Sequence, residues 1–188
     1  IGSGMFQNIT TASENVGVGL HANVSSGSRN TCMGYYSMQG AVTTGDGNTA
    51  VGSHSANMLS SGDGNTIIGY AAGQHCQGGD GNTFIGNGAG SVGGLEDYAY
   101  NTAVGYNAMY NGAKTSATIN NVAIGINALY QLTTGASNVA VGDQALQNNT
   151  TPSNNTAVGR QAMMSNTTGS GNVACGQGTL YSNQTGTA

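Results

Sequence analysis

Asn138-Val-Ala-Val-Gly142 and Asn155-Thr-Ala-Val-Gly159 are two of ten copies of one five-residue phrase in this chain of 188 residues. Each copy reads Asn, then Thr or Val (the second position), two mostly apolar residues (the third and fourth), and a closing Gly. The phrases begin at Asn15, Asn30, Asn48, Asn65, Asn82, Asn101, Asn121, Asn138, Asn155 and Asn172. The steps between them are 15, 18, 17, 17, 19, 20, 17, 17 and 17 residues. So short a period predicts one coil of a solenoid, which is stable only when stacked on its neighbours.

Side-chain alternation along the phrase predicts which residues its strand buries. In an extended strand, the second and fourth residues face one side and the third faces the other. The fourth position is apolar in all ten copies, and we expect it to face the core at Val51, Ile68, Val104, Ile124, Val141 and Val158. The third position is also apolar and mostly small, which suits close approach of another chain. We therefore expect an interface between copies, with the chain's own core as the alternative, at Ala103, Ala123, Ala140, Ala157 and Ala174.

The remaining repeat positions predict turns, a second strand and a side-chain ladder. The closing Gly is present in every copy, which indicates a backbone angle or a tight bend that excludes a side chain. A larger apolar residue often follows four positions later, as at Met109 and Leu146, and predicts a second short strand over the core. We expect the Asn residues to stack, with their amides hydrogen-bonded from coil to coil. No segment has the 3.6-residue period of a helix.

Composition excludes several classes of function. The net charge is −4 and the only cationic residues are Arg29, Lys114 and Arg160, which argues against nucleic acid as a partner. No apolar run approaches the length of a membrane-spanning helix, so membrane insertion is not expected. Cys32 and Cys175 lie eight repeats apart, too far for a disulfide, and we expect both to be small apolar core residues.

The phrase and the residues after it resemble known fibre repeats. Asn101-Thr-Ala-Val-Gly-Tyr-Asn-Ala-Met109 and Asn121-Val-Ala-Ile-Gly-Ile-Asn-Ala-Leu129 resemble the head repeat of YadA-type trimeric autotransporter adhesins. They are more similar still to repeats in tail and head fibres of bacteriophages and other large viruses. The resemblance covers almost the whole chain and implies a left-handed parallel β-roll of about ten coils, assembled as a homotrimer. The adhesin repeat is shorter than the 17-residue step that dominates here, which favours the viral version.

These features predict a structural protein. We expect residues 1–188 to be a single β-roll repeat domain and a piece of a longer fibre. The expected function is a homotrimeric segment on a virion surface that contributes to host attachment, through a host cell-surface glycan or protein. The alternative is the head of a bacterial surface adhesin, and an ice-binding solenoid is a minor alternative. We expect no enzymatic activity and no cofactor, since Glu14 and Glu96 lie five coils apart and cannot act as a pair.

Three aspartates form the candidate metal site. Asp46, Asp63 and Asp80 each lie two residues before a phrase Asn, in the sequence Gly-Asp-Gly-Asn, with a spacing of 17 in both steps. In a solenoid they would stack about 4.8 Å apart, and oxygen-rich turns of this kind suit Ca²⁺. The alternative is a solvated turn whose geometry Asp and Gly favour.

The candidate receptor contact lies in the two longest coils. Segments 91–100 and 111–120 carry the additional residues and are expected to project from the shaft, where binding residues often occur. The residues predicted to contact a receptor are Glu96, Asp97, Tyr98, Tyr100, Tyr106, Tyr110 and Lys114. Tyrosines also recur at two repeat positions, at Tyr35, Tyr70 and Tyr106 and at Tyr110, Tyr130 and Tyr181. Their rings either stack on sugars or pack over the outer edge of the roll.

Overall fold

A computed structural model describes residues 13–21, 26–40, 44–91, 98–110 and 118–186. Within these ranges the chain is all-β and contains no helix. The described residues therefore include no helix that could cross a membrane. Each phrase contributes one three-residue strand to a single sheet. The strands are β1 (Val16–Val18), β2 (Thr31–Met33), β3 (Thr49–Val51), β4 (Thr66–Ile68), β5 (Thr83–Ile85), β6 (Thr102–Val104), β7 (Val122–Ile124), β8 (Val139–Val141), β9 (Thr156–Val158) and β10 (Val173–Cys175).

The sheet is parallel, and its strands follow one another in sequence order from β1 to β10. Each strand pairs with the next so that equal phrase positions are partners, as in Ala140↔Ala157 and Val141↔Val158. The register is the same across the long 20-residue step, where Ala103 pairs with Ala123. The predicted β-solenoid is therefore confirmed, and extra residues in a repeat do not alter the pairing of its strand.

The third position of the phrase faces the core of the solenoid, and the fourth does not. Ala103, Ala123, Ala140 and Ala157 have no exposed surface. The fourth-position residues that we expected in the core are half-buried or exposed, namely Val51, Ile68, Val104, Ile124, Val141 and Val158. Both predictions about the faces of the strand were therefore wrong: the alanines line the chain's own core, and the Val/Ile row faces outward.

Small third-position residues suffice in the core because the residue four positions after the closing Gly is large where the third position is small. Ala140 occupies a third position, and Leu146 lies four positions after the closing Gly of the same coil. Both are fully buried. Where the third position is Phe84, the equivalent residue is Gly90, and a Cβ there would lie 2.5 Å from the Phe84 ring. Ile67 is matched by Gly73 in the same way. In these coils the thin core is thus filled by one large and one small partner, which leaves no room for the Val/Ile row.

The predicted second strand is wrong, although its large apolar residues are buried as expected. Gln144 and Leu146 have φ angles of 59° and 50°, in the left-handed region, where a strand cannot continue. The segment is a turn that still bonds from coil to coil, since the Leu146 N–H donates to the Ala162 carbonyl at 3.0 Å. Leu146 therefore reaches the core from a bend in the chain.

Two of the three cysteines are in the core. Cys32 occupies a third position and is fully buried, as predicted, and burial raises the pKa of its thiol to about 11. Cys76 is also fully buried. Cys175 is exposed, so its predicted place in the core was wrong. It occupies a fourth position, and it faces outward for the same reason as the Val/Ile row.

The phrase asparagines form the predicted ladder, and all of them except Asn15 are buried. The Asn138 side-chain oxygen accepts the backbone N–H of Asn155 at 3.1 Å. The Asn138 amide donates to the Asn121 side-chain oxygen at 3.0 Å and to the Pro152 carbonyl at 2.9 Å. The same pattern repeats from Asn65 through Asn155. Each side-chain amide therefore links its own coil to the asparagine of the preceding coil and to the backbone of the next asparagine. It also bonds to the turn that leads into that next strand.

Loss of one amide from this ladder should destabilise the solenoid. We expect Asn138→Ala to lower the free energy of unfolding by about 2–5 kcal/mol, because the Asn155 N–H and the Pro152 carbonyl lose their buried partner. Urea unfolding followed by circular dichroism measures this loss. Asn148→Ala is the control, since its half-buried side chain makes no hydrogen bond among the described residues and its loss should stay within about 0.5 kcal/mol. Equal losses for the two variants would contradict a stabilising ladder.

Candidate functional site: the outer face and its aromatic cluster

The outer face of the sheet, formed by the second and fourth positions of the phrase, is uncharged and partly apolar. The fourth position contributes an apolar column that is exposed at Val18, Met33, Ile68, Ile85, Ile124 and Val158. The second position contributes a parallel column of half-buried Thr and Val residues, exposed only at the end strands. None of the twenty positions carries a charge. A single chain thus presents a long, regular apolar surface of the kind that marks an interaction site.

Five aromatic side chains at one end of the solenoid touch one another, and we call them the aromatic cluster. They are His21, Tyr35, Tyr36, His54 and Tyr70. The His21 ring stacks on Tyr36 with centroids 5.1 Å apart, and Tyr35 meets the edge of Tyr36 at 4.1 Å. His54 contacts both tyrosines, at 5.4 and 5.5 Å, and reaches Tyr70 at 6.2 Å. The cluster therefore continues across four successive repeats.

Polar groups lie at the edge of the aromatic cluster. The Ser53 hydroxyl is 2.9 Å from Nδ1 of His54. The Asn57 amide donates to the Tyr36 carbonyl at 3.0 Å and lies 3.5 Å from the Gln39 side-chain oxygen. A hydrogen bond between the Tyr35 and Tyr36 side chains raises the pKa of the Tyr35 phenol. The cluster thus combines exposed ring surface with neutral donors and acceptors.

The three candidate calcium ligands form a ladder of a different kind. Asp63 accepts the backbone N–H of Asp46 at 2.7 Å, and Asp80 accepts that of Asp63 at 2.8 Å. Asp46 accepts the Ser28 N–H at 2.7 Å and pairs with Arg29 at 3.1 Å. No group of three or more metal-ligating side chains is placed to hold an ion in the described part of the chain. Backbone N–H groups therefore bind one oxygen of each of these carboxylates.

The bonds to Asp46 make the coils that they join sensitive to acid. The Ser28 N–H, followed by the Arg29 guanidinium, lowers the pKa of Asp46 below its ordinary value. The pKa of Asp46 is therefore lower in the folded chain than in the unfolded chain. The stabilisation that its bonds provide is fully present above the unfolded pKa and is lost as pH falls through the folded pKa. We expect the melting temperature to fall more steeply below pH 4 in the native chain than in Asp46→Asn. Parallel curves for the two proteins in thermal melts from pH 6 to pH 2 would contradict this.

Only some of the predicted receptor-contact residues are described. Tyr100, Tyr106 and Tyr110 are exposed, by 61%, 53% and 37%. Glu96, Asp97 and Lys114, with most of segments 91–100 and 111–120, lie outside the described residues. The Tyr110 ring stacks on Tyr130 at 5.9 Å, in accord with packing over the outer edge.

Tyr98 is a core residue, so its predicted contact with a receptor was wrong. Its side chain is 1% exposed. The ring stacks on Phe84 with centroids 5.8 Å apart, and the hydroxyl donates to the Gly90 carbonyl. The space left by Gly90 admits both rings, so the longer coil sends this tyrosine inward.

Sequence reasoning missed the aromatic cluster as a unit. Tyr35 and Tyr70 recur at one repeat position, directly after the closing Gly, and His21 and His54 share the next position. The signal that joins them is Tyr36, which shares the repeat position of the two histidines, two residues after the closing Gly. Stacking of consecutive coils then brings the two positions together.

Comparison of the chain with protein-family profiles, with curated proteins and with solved structures found no match.

Proposed function

We propose that this chain is a structural segment of a virion fibre, in which three parallel copies pack through the outer face and contribute to host attachment. The observation that supports this most is the exposed apolar column of the outer face. A soluble chain that leaves such a surface uncovered tends to associate. The proposed interface replaces the alanine row expected from the sequence, because the alanines are buried within the chain.

The chemistry of the outer face favours other copies of this chain as its cover. The face has no charged side chain that would need a complementary partner, and its rungs repeat along the whole sheet. Rotation about an axis parallel to the solenoid brings the same strand of each copy to the same level. Every strand then makes an equivalent contribution to the interface. The number of three copies, the left-handed coil and the viral setting come from the resemblance to fibre repeats. A bacterial surface adhesin is the alternative setting for the same trimer.

Immunogold electron microscopy tests the proposed setting. An antibody raised against the purified segment should label fibres on virus particles from a culture in which the gene for this chain is present. Labelling of bacterial cell surfaces with unlabelled particles would favour the adhesin instead. Labelling of neither structure would reject both settings.

Ice binding is a second candidate, because the outer face carries a regular column of threonines. Thr49, Thr66 and Thr83 are paired in register beside the Val/Ile column. The irregular Thr pairs of the turns are poorer candidates, since the Thr133 hydroxyl already donates to the Thr150 carbonyl at 2.9 Å. The same face cannot bind ice and be buried in a trimer. Nanolitre osmometry should therefore find no thermal hysteresis, and hysteresis from a monomeric protein would favour ice binding over the fibre.

A further inference from the structure

The aromatic cluster uses residues that its backbone does not favour. Tyr36 has a φ of 55° and thus lies in the left-handed region, which is unfavourable for a bulky side chain. The same repeat position holds Asn107 and Asn127 in later coils, with φ of 52° and 54°. Asn tolerates this conformation far better. The left-handed conformation recurs at this position with Ala71, Gln144 and Gln161, so it belongs to the coil, and the aromatic residues at this position distinguish the first coils.

The ring surfaces are available to a ligand in the single chain. Tyr35 is 44% exposed and Tyr70 is 59% exposed, while His21, Tyr36 and His54 are half-buried between them. The half-buried rings are held by their neighbours, since consecutive centroids lie 4.1 to 6.2 Å apart. A ligand that stacks here meets rings whose positions are already fixed, which reduces the entropy lost on binding.

The edge of the cluster determines the charge of the ligand. Ser53, Asn57 and Gln39 supply hydroxyl and amide groups, which donate and accept hydrogen bonds without charge. The two described cationic side chains, Arg29 and Arg160, are each paired with an aspartate, at 3.1 and 3.3 Å. No lysine or arginine is described at the cluster, so apart from the ring nitrogens of His21 and His54 its hydrogen-bonding groups are uncharged, which favours an uncharged ligand.

We propose that the aromatic cluster is a binding site for neutral carbohydrate. The C–H face of a pyranose ring packs on Tyr35, Tyr36 and Tyr70, and its hydroxyls bond to the polar edge formed by Ser53, Gln39 and Asn57. The proposal deepens the proposed function, because it names the class of host molecule that the fibre would contact. It places that contact in the first four repeats, apart from the long segments 91–100 and 111–120. Three copies would each carry the site, and their weak contacts would combine through avidity.

Saturation-transfer NMR with simple glycosides tests the site on the purified chain. The probes are the methyl β-glycosides of glucose, galactose and N-acetylglucosamine. For at least one of them we expect transfer to the ring protons of one sugar face, with a dissociation constant on the order of 1 mM for so small a ligand. No transfer to any of the three from the folded protein would overturn the proposal.

The double variant Tyr36→Asn, His54→Asn separates binding from folding. Asn favours the left-handed backbone, so the melting temperature should equal or exceed that of the native chain, while affinity should fall at least about tenfold through lost ring contact. Gln161→Asn is the matched control, since Gln161 holds the same repeat position with φ 58° in a distant coil. Unchanged affinity in the double variant would overturn the site.

Sedimentation of the same variants separates this proposal from the fibre. A double variant that loses its trimers, beside a control that keeps them, would show that the rings pack between chains, and this would overturn the carbohydrate site. A native trimer that binds no glycoside would reject the site alone. A native monomer that binds a glycoside would reject the trimer and retain the site.

Discussion

Ala140→Asp should unfold the chain, whereas Val141→Asp should leave each chain folded and separate the copies. The two residues are neighbours on strand β8 but face opposite sides of the sheet. Ala140 has no exposed surface and lies in the chain's own core, so a carboxylate there would be buried without a partner, at a cost of several kcal/mol. Val141 is half-buried on the outer face, where a single chain leaves a new carboxylate in contact with water. In a trimer that carboxylate would be buried once in every copy.

Circular dichroism and sedimentation velocity together check this pair. Val141→Asp should keep the β-sheet spectrum and sediment as a monomer, while Ala140→Asp should lose the spectrum. Val141→Thr is the control for the change of side chain, because it keeps the shape without the charge and should remain trimeric. A trimeric Val141→Asp would show that the outer face is not the interface.

Gly69→Ala should cost far more stability than Gly64→Ala, although both glycines have positive φ. Gly69 closes a phrase with a φ of +137°, and a Cβ there would lie 2.4 Å from the Gly86 carbonyl oxygen of the next coil. Gly64 has a φ of +65° and no atom within 4 Å of the added Cβ. We expect about 1 kcal/mol for Gly64→Ala, from backbone conformation alone. For Gly69→Ala we expect about 3–5 kcal/mol, since the backbone of two coils must move apart.

Urea unfolding of both glycine variants measures this difference. The same close contact repeats along the row of closing glycines, as at Gly142, where the carbonyl carbon of Gly159 is 2.6 Å from the added Cβ. Gly142→Ala should therefore match Gly69→Ala within error. Equal and small losses at Gly64 and Gly69 would mean that φ alone, and not contact between coils, keeps the closing residue glycine.

The sequence predicted the parts of the fold that depend on periodicity. The ten phrases became ten strands in register, because a strand in a solenoid can pair only with its equivalent in the next coil. The asparagine ladder and the role of the closing Gly followed from the same stacking. The sequence did not predict which face of each strand points into the core, since Ala140 and Val141 are both apolar. The choice depended on Leu146, whose size fills the core opposite Ala140.

The candidate sites were harder to predict for a different reason. The stacking of Asp46, Asp63 and Asp80 was correctly expected from their spacing, but the sequence could not show that backbone N–H groups donate to these carboxylates. Tyr98 was expected outside because it lies in a long segment, and the neighbouring Gly90 made room for it inside. The aromatic cluster joins two repeat positions, and a sequence shows which positions recur but not which of them touch.

Sedimentation equilibrium of the native chain tests the central proposal most directly. If three copies cover the outer face, the protein should behave at micromolar concentration as one species with three times the 18.6 kDa mass of a chain. The mass should not fall in high salt, because the face carries no charge and its association depends on apolar burial. A folded protein that sediments as an 18.6 kDa monomer across this range would contradict the account.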